Sequence, residues 1–513
     1  MSILTKVLFI CLDAAERDIL LEWADAGDLP NIRALRDRSL WGDAPALPGL
    51  GSGALWPSFS TGVNPSRHGR YFSLHMRKGA YELYKYKFDP ADWWPFWRRL
   101  SLAGRKVAVI DIPYDSLCDG MNGLHVVDWG LHNKQSDVAG IFPAEEAEEI
   151  SRDFGMEDPV GYCDHYGSDV ADMSRFKDRL LQRIATKGDM ACRYLERGGW
   201  DLFLTTFDES HCVGHRAWHL HDPDYPKYDA ALAGEVGDPV KAVYMAIDAQ
   251  IGRLLERVGP ETPVILLSGT GMGPNYGANF VLDEILSRLE GNRPSLGRRL
   301  MGPARRLYTS LLPSHVRARL RSRVVHVEQS MIATDRARRK AFAVVHNDIS
   351  GAVRINLVGR EPSGRVNPGP ELDAFCEQLT RDLMEVKNLE TGQPLVQRVV
   401  RTSDLYKGDH VADFADLFVI WNKTGPVNRV GSPKTGTING SFTGTRTGDH
   451  TPHGLFAASM AGLVPGHREE AVSILDFAPT VAALLDVDLP DVEGAPVPEI
   501  FAASNAAQTI PAE

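Results

Sequence analysis

A chain of 513 residues, 43% hydrophobic and 24% charged, has material for a large core and is too apolar for wholesale disorder. Its formal net charge of −11 at pH 7 argues against a dedicated nucleic-acid binder. The cysteines, at positions 11, 118, 163, 192, 212 and 376, lack CxxC spacing and fit reduced thiols rather than a disulfide frame.

The N-terminal stretch MSILTKVLFICLDAAE has one lysine and a short apolar run interrupted by Asp13, with no small-residue cleavage site after it. It reads as a first strand, and the expected location is the cytoplasm. No run of about 18 or more apolar residues is present to span a bilayer. Lys6 to Leu12 has the continuous apolar character of a central parallel strand, and Asp13 at its end is the first candidate carboxylate ligand. A helix follows and ends by Gly27 to Leu29, because Gly27 suits a helix end and Pro30 does not continue one.

In the stretch GSGALWPSFSTGVNPSRHG, Gly51 to Gly69, the glycines permit a close approach of backbone to ligand. Ser52 is expected on the turn before a helix starting near Pro57, either as a nucleophile or as a plain turn or N-cap residue. Residues 133–187, with Asp164, His165 and Tyr166, show no clean strand pattern and read as a partly helical cap.

Next comes WDLFLTTFDESHCVGHRAWH, Trp200 to His219, where an apolar run empties into acids and imidazoles. Leu202, Phe203, Leu204 and Phe207 make a buried strand, and ligands gather at such carboxyl ends in open α/β sheets. On a helix starting after Ser210, His211 and His215 have the i, i+4 spacing that suits two imidazoles on one metal. The alternative is a solvated helix face that happens to carry histidines. His219 lies roughly 12 Å along the axis from His211, too far to join bonds of about 2.1 Å, so a third protein ligand must come from elsewhere. Cys212 sits among these ligands as a thiolate donor or as a small packing residue.

The segment 289–339 gathers Arg298, Arg299, Arg305, Arg306, Arg317, Arg319, Arg321 and Arg323 among leucines. It reads as a solvated helical face or as a basic rim for anionic substrates or an anionic membrane surface. No internal repeat, low-complexity segment or long linker is evident, and the tail from Ala502 is small and polar. The expected organisation is one α/β domain over 1–500 with cap insertions at about 133–187 and 289–339, then a flexible tail, 501–513.

Several of these residues, taken in order, resemble the type I phosphodiesterase/nucleotide pyrophosphatase family of the alkaline phosphatase superfamily. They are Asp13 after a strand, Ser52 nine residues before Thr61-Gly62, then Asn64-Pro65 and His68-Gly69. The likeness continues through Trp94 to Pro113, Asp201 to His215, Val353 to Val366, Asp416-Leu417 with Trp421, Gly448-Asp449-His450 and Ser473 to Gly494. The resemblance implies an alkaline-phosphatase-like sandwich, a mostly parallel sheet with helices on both faces and inserted caps. It further implies a metal-dependent phosphohydrolase with one or two divalent ions, commonly zinc, acting on a small anionic phosphate ester. By position, Ser52 corresponds to the nucleophile, Asp13 to a ligand of the nucleophile-side metal, and His215 and His450 to ligands of the other; His453 is a competing or additional ligand.

Two departures stand out. His211 occupies a position where the family has an acid, which makes a three-histidine site with one open position. The family's Ser-Asp-His-Gly-Met-Gly stretch reads here Ser268-Gly269-Thr270-Gly271-Met272-Gly273, without the Asp and His ligands. Asp208 or Glu209 is a candidate replacement acid. Three readings therefore stand: a serine-nucleophile phosphodiesterase, a single-metal hydrolase or group-transfer enzyme on the same fold, and a catalytically silent binder of a phosphorylated ligand.

Overall fold

The computed structural model describes residues 6–86, 93–131, 139–155, 167–292, 331–347 and 349–508. Asp164, His165 and Tyr166 and the arginine-rich run 298–323 lie outside the described residues. The chain folds as two compact units. The first comprises Met1–Arg70, Lys87–Asn275 and Gly444–Glu513, and the second comprises Tyr71–Tyr86 and Tyr276–Thr443.

The first unit is built on a nine-stranded sheet. Its middle strands, Val264–Ser268, Val7–Leu12, Leu202–Phe207, Val107–Ile110 and Gly123–Val127, run parallel in that spatial order. Val7–Leu12 and Leu202–Phe207 are buried along their whole length, as strands covered on both faces must be. The flanking strands Leu455–Ser459 and Gly140–Phe142 are antiparallel to their inner neighbours. Leu40–Asp43 and Gly466–Arg468 complete the edge beyond Leu455–Ser459.

The helices sort into two groups that pack among themselves. Val170–Arg197, Glu209–His221 and Pro30–Asp37 each pack on Pro239–Leu255. Ser52–Thr61, Phe96–Leu102 and Phe477–Leu484 form the other group, and Phe9 of the central strand meets Phe59 and Phe477 edge-on. This is the α/β sandwich expected from the sequence, with a mixed, mostly parallel sheet and helices on both faces. The first helix, Arg17–Ala26, stops where expected, on Gly27 in the left-handed region at φ 89°.

Two local expectations need correction. The helix after Gly51 begins at Ser52 and runs to Thr61, with Pro57 inside it rather than at its start. The Ser60 and Thr61 hydroxyls both donate to the Pro57 carbonyl, which satisfies an acceptor near the helix end. The terminal residues to Gln508 form the helix Pro498–Gln508, with Ile500 and Ala503 buried, where a flexible tail from 501 is expected. The stretch expected as the first cap ends in the helix Val170–Arg197, and most of the second falls outside the described residues.

The second unit carries a four-stranded antiparallel sheet in the order Ala341–Val344, Ser350–Ile355, Leu417–Trp421, Val396–Arg401. Its core gathers Val353, Ile355, Leu417 and Val419 with Leu282 and Leu383. No described helix is long and apolar enough to cross a membrane.

Candidate metal centre

Strand register sets the stage. Leu12 is level with Phe207 on one side and Ser268 on the other, so Asp13, Asp208 and Gly269 emerge together at the carboxyl ends of three adjacent parallel strands. The helix Glu209–His221 starts there and puts His211 and His215 one turn apart, both buried.

The third imidazole arrives on a ribbon. Gly448–Thr451 pairs antiparallel with Gly271–Pro274, His450 opposite Met272. Two glycines let this ribbon lie against the histidine helix. A Cβ on Gly448 would stand 2.1 Å from the Gly214 carbonyl oxygen, and one on Gly214 would stand 2.6 Å from Met272 Cγ. Thr447 N donates to the His215 carbonyl at 2.7 Å, which locks the approach. The His211, His215 and His450 ring centroids are then 4.7 to 4.9 Å apart, with one ligand atom from each within 4.8 Å of the others.

Two of these rings are oriented by partners that can only accept. His211 Nδ1 donates to Asp13 Oδ2 at 2.8 Å, and His215 Nδ1 donates to the Gly448 carbonyl at 3.0 Å. In the neutral form both rings therefore carry their proton on Nδ1 and have Nε2 as the basic nitrogen, a tautomer in which histidine binds metal. Burial, the Arg446 guanidinium and the two neighbouring imidazoles push His215 well below the usual histidine value, so it stays neutral. Burial also disfavours the charged form of His211, but the Asp13 carboxylate outweighs it and raises that ring above the usual value. The residues present fit one divalent ion with nitrogen donors and an open position.

They do not fit a second ion. Each Asp13 oxygen accepts one hydrogen bond, Oδ2 from His211 and Oδ1 from the Trp56 indole N–H at 3.0 Å, so Asp13 has lone pairs left but is one carboxylate alone. A Cβ on Gly269 would lie 2.8 and 2.9 Å from the Leu55 methyls and 3.3 Å from Ile474 Cδ1, so the place for an acid is filled by hydrocarbon. Asp208 and Glu209 do not substitute. Lys187 Nζ, fully buried, lies 3.1 Å from Asp111, 3.2 Å from Asp208 and 3.6 Å from Glu209, while Arg183 Nε holds Glu209 at 2.7 Å. Burial alone would push the Lys187 ammonium down, but Glu209, Asp111 and Asp208 hold it above the usual lysine value. Pulling either acid toward a metal would break up a buried charge cluster, at a cost of about 3–5 kcal/mol.

The remaining candidates separate clearly. Ser52 is the first residue of its helix and is buried, and its Oγ has no hydrogen-bond partner among the described residues. Trp56, one turn further on, ties that helix to Asp13 and through it to His211. His453 is not with the three imidazoles. It sits half-exposed with Glu16 and Asp18, its Nδ1 3.5 Å from Glu16 Oε1, and Thr451 donates to the other oxygen of Glu16. His219 bonds the Thr447 hydroxyl at 3.1 Å, as its distance along the helix requires. Sequence reasoning misses Trp56, Lys187 and Arg446. Of these only Trp56 has a local signal, its i+4 relation to Ser52.

In this geometry Asp13 orients His211 through its Oδ2. Asp13→Asn is accordingly expected to keep the fold and weaken metal binding by about 10- to 100-fold, measured by competition with a chromophoric chelator. Complete loss of metal would instead mean direct coordination.

The chain is similar to several solved structures at low identity. Human ectonucleotide pyrophosphatase/phosphodiesterase 5 is 11% identical, with 97% of this chain and 99% of that one covered and a TM-score of 0.49. Phosphonoacetate hydrolase from Sinorhizobium meliloti 1021 is 12% identical, with coverage of 99% and 95% and a TM-score of 0.48. Wild-type alkaline phosphatase PafA is 13% identical, with coverage of 97% and 99% and a TM-score of 0.48. No curated protein matches the sequence. The sequence pattern of one family does match, from the first strand through both units to the end of Leu417–Trp421 and beyond, over residues 7–423. On that match the chain belongs to the type I phosphodiesterase/nucleotide pyrophosphatase family.

Proposed function

We propose that this phosphohydrolase family member cleaves a small anionic phosphate ester at a one-metal centre of His211, His215 and His450, with Ser52 as nucleophile. The observation that carries the reading is the pair of fixed tautomers, which give two rings a basic Nε2 in a cluster completed by His450. The all-nitrogen donor set suits zinc, and an ion bound there would polarise a phosphoryl oxygen as a Lewis acid. Ser52 attacks phosphorus, the ester oxygen leaves, and water then resolves the phosphoserine. No side chain caps the helix that begins at Ser52, and although Ala54 N already donates to the Gly51 carbonyl, the N–H groups of Ser52 and Gly53 point the helix N-terminus at the negative charge that develops.

One observation favours a second reading, direct attack by water. Hydrocarbon fills the space beside Gly269, and Asp208 and Glu209 are held in a buried charge cluster, so Asp13 is the one carboxylate left at the carboxyl ends of these strands for a second ion. Both readings share the metal. Elemental mass spectrometry on protein purified without chelators or metal-affinity resin is expected to give one zinc per chain. Hydrolysis of bis(4-nitrophenyl) phosphate should disappear on dialysis against chelator and return with zinc. Turnover indifferent to the chelator would sink the metal reading, and two ions per chain would sink the one-ion version.

A further inference from the structure

The three imidazoles come from two separate pieces of chain, and a metal centre needs its ligands held to within about 0.5 Å of the productive geometry. His211 and His215 ride on the helix Glu209–His221, whereas His450 lies in a two-stranded ribbon. A ribbon of that size is marginally stable by itself, so its placement comes from what it is tied to. Upstream of His450 the tie is Thr447 N on the His215 carbonyl at 2.7 Å. Downstream, the very next residue, Thr451, donates its hydroxyl to Glu16 Oε2 at 2.6 Å, a length typical of a hydroxyl on a charged carboxylate.

Glu16 stands three residues after Asp13, and the loop between them is fixed at several points. Ser210 Oγ, beside His211, donates to the Asp13 carbonyl at 2.7 Å, and Ser268 Oγ donates to the Ala15 carbonyl at 2.9 Å. Glu16 N donates to Tyr244 Oη at 2.8 Å, and Tyr244 belongs to Pro239–Leu255, the helix on which Glu209–His221 packs. Glu16 is also the N-cap residue of Arg17–Ala26, yet its side chain makes no capping bond and turns to the ribbon instead. Gly271, the residue paired with Thr451, leaves room for it. A Cβ there would stand 2.1 Å from Glu16 Oε2 and 2.5 Å from Thr451 Oγ1.

The bland account is that Thr451 merely satisfies a buried carboxylate. The backbone beyond it is held in other ways, by Ala46 N on the Pro452 carbonyl at 3.0 Å and by the pairing of Leu455–Ser459 in the large sheet. Those ties set the course of the chain after the ribbon. The Glu16 bond acts at the residue next to His450 and, through Tyr244 and the Asp13 loop, joins it to the frame that carries His211 and His215. A carboxylate only 6% exposed is expensive to bury, and what it adds over a neutral acceptor is a bond roughly twice as strong.

We propose that Glu16 is a positioning residue of the metal centre, which through the Thr451 hydroxyl sets the place of His450 relative to His211 and His215. The inference rests on the three-histidine metal reading above. Thr451 supplies the hydroxyl that makes the bond, and the bare Gly271 lets it form.

The test uses full-length protein, wild type and the variants Thr451→Val, Thr451→Ser, Glu16→Ala and the double variant Glu16→Ala/Thr451→Val. Zinc affinity is read by competition with a chromophoric chelator, folding by thermal unfolding of the zinc-free proteins, and KM for bis(4-nitrophenyl) phosphate at saturating zinc. Thr451→Val keeps the shape of the side chain and removes the hydroxyl, so it should bind zinc roughly 10- to 100-fold more weakly with KM unchanged. Glu16→Ala should lose as much, and the double variant no more than either, because the same bond is removed in all three. Thr451→Ser restores the hydroxyl and should restore the affinity. Wild-type zinc affinity in folded Thr451→Val and Glu16→Ala would overturn the proposal. So would losses that add in the double variant, or a Thr451→Ser as weak as Thr451→Val, since packing would then explain both. Loss of the unfolding transition in Thr451→Val and Glu16→Ala alike would also overturn it and make the bond a support of the fold. Wild-type protein that binds no zinc is a different failure, seen before any variant is made, and it removes the metal reading together with the inference.

Discussion

His215→Ala is expected to empty the metal centre and to lower kcat/KM by at least about 10³-fold. His215 is held twice, by the Gly448 carbonyl on its Nδ1 and by Thr447 N on its own carbonyl. Its ring centroid also stands 4.7 and 4.8 Å from those of the other two imidazoles. Removing it leaves His211 and His450, and two imidazoles without a third protein donor do not retain zinc against a chelator. The fold should survive, because the helix Glu209–His221 keeps its other buried contacts and Ala is a better helix former than His. His453→Ala is the control. That ring belongs with Glu16 and Asp18, so the variant should keep both zinc and turnover. Zinc and turnover at wild-type levels in His215→Ala would show that the three-histidine cluster is not the functional centre.

The two halves of this centre differ in how far the sequence discloses them. The strands are plain in it because burial on both faces demands unbroken apolar runs, as in Val7–Leu12 and Leu202–Phe207, and the acid after each run marks a carboxyl end. His211 and His215 are plain because helical spacing is local. His450 is not local. It reaches the others through a ribbon whose closeness depends on Gly214 and Gly448 meeting across more than two hundred residues, and only its resemblance to a known motif points to it. Asp208 and Glu209 mislead for a related reason. Acids beside histidines look like ligands until tertiary packing brings Lys187 and Arg183 from another helix to neutralise them. The plug beside Gly269 is the clearest case. Loss of the acid is visible in the sequence, but the occupation of its place by Leu55 is a packing fact. The helix start at Ser52 is hidden because a proline usually marks a first turn, and here it is carried inside the helix.

Ser52→Ala is expected to reduce turnover by at least about 10³-fold while raising stability by about 1 kcal/mol, an opposite pair of effects that separates a working nucleophile from a helix cap. The Ser52 hydroxyl is buried and has no hydrogen-bond partner among the described residues, so the folded state carries its desolvation without return. A capping serine behaves otherwise. Its hydroxyl accepts from a backbone N–H of the first turn, and its loss costs about 0.5–2 kcal/mol. The helix here takes Gly51 as its N-cap and has no side-chain cap, so alanine at 52 gives up no bond and gains helix propensity. Thermal unfolding of zinc-loaded wild type and variant reads the stability arm, and acid quench during turnover followed by peptide mass spectrometry reads the phosphoserine. Phosphate on Ser52 in the wild type, absent from a variant that keeps its zinc, would assign the attack to the serine. Turnover retained within about tenfold, with no phosphopeptide from either protein, would assign it to water. The buried Ser52 hydroxyl would then serve only to begin its helix, beside the hydrocarbon of Leu55.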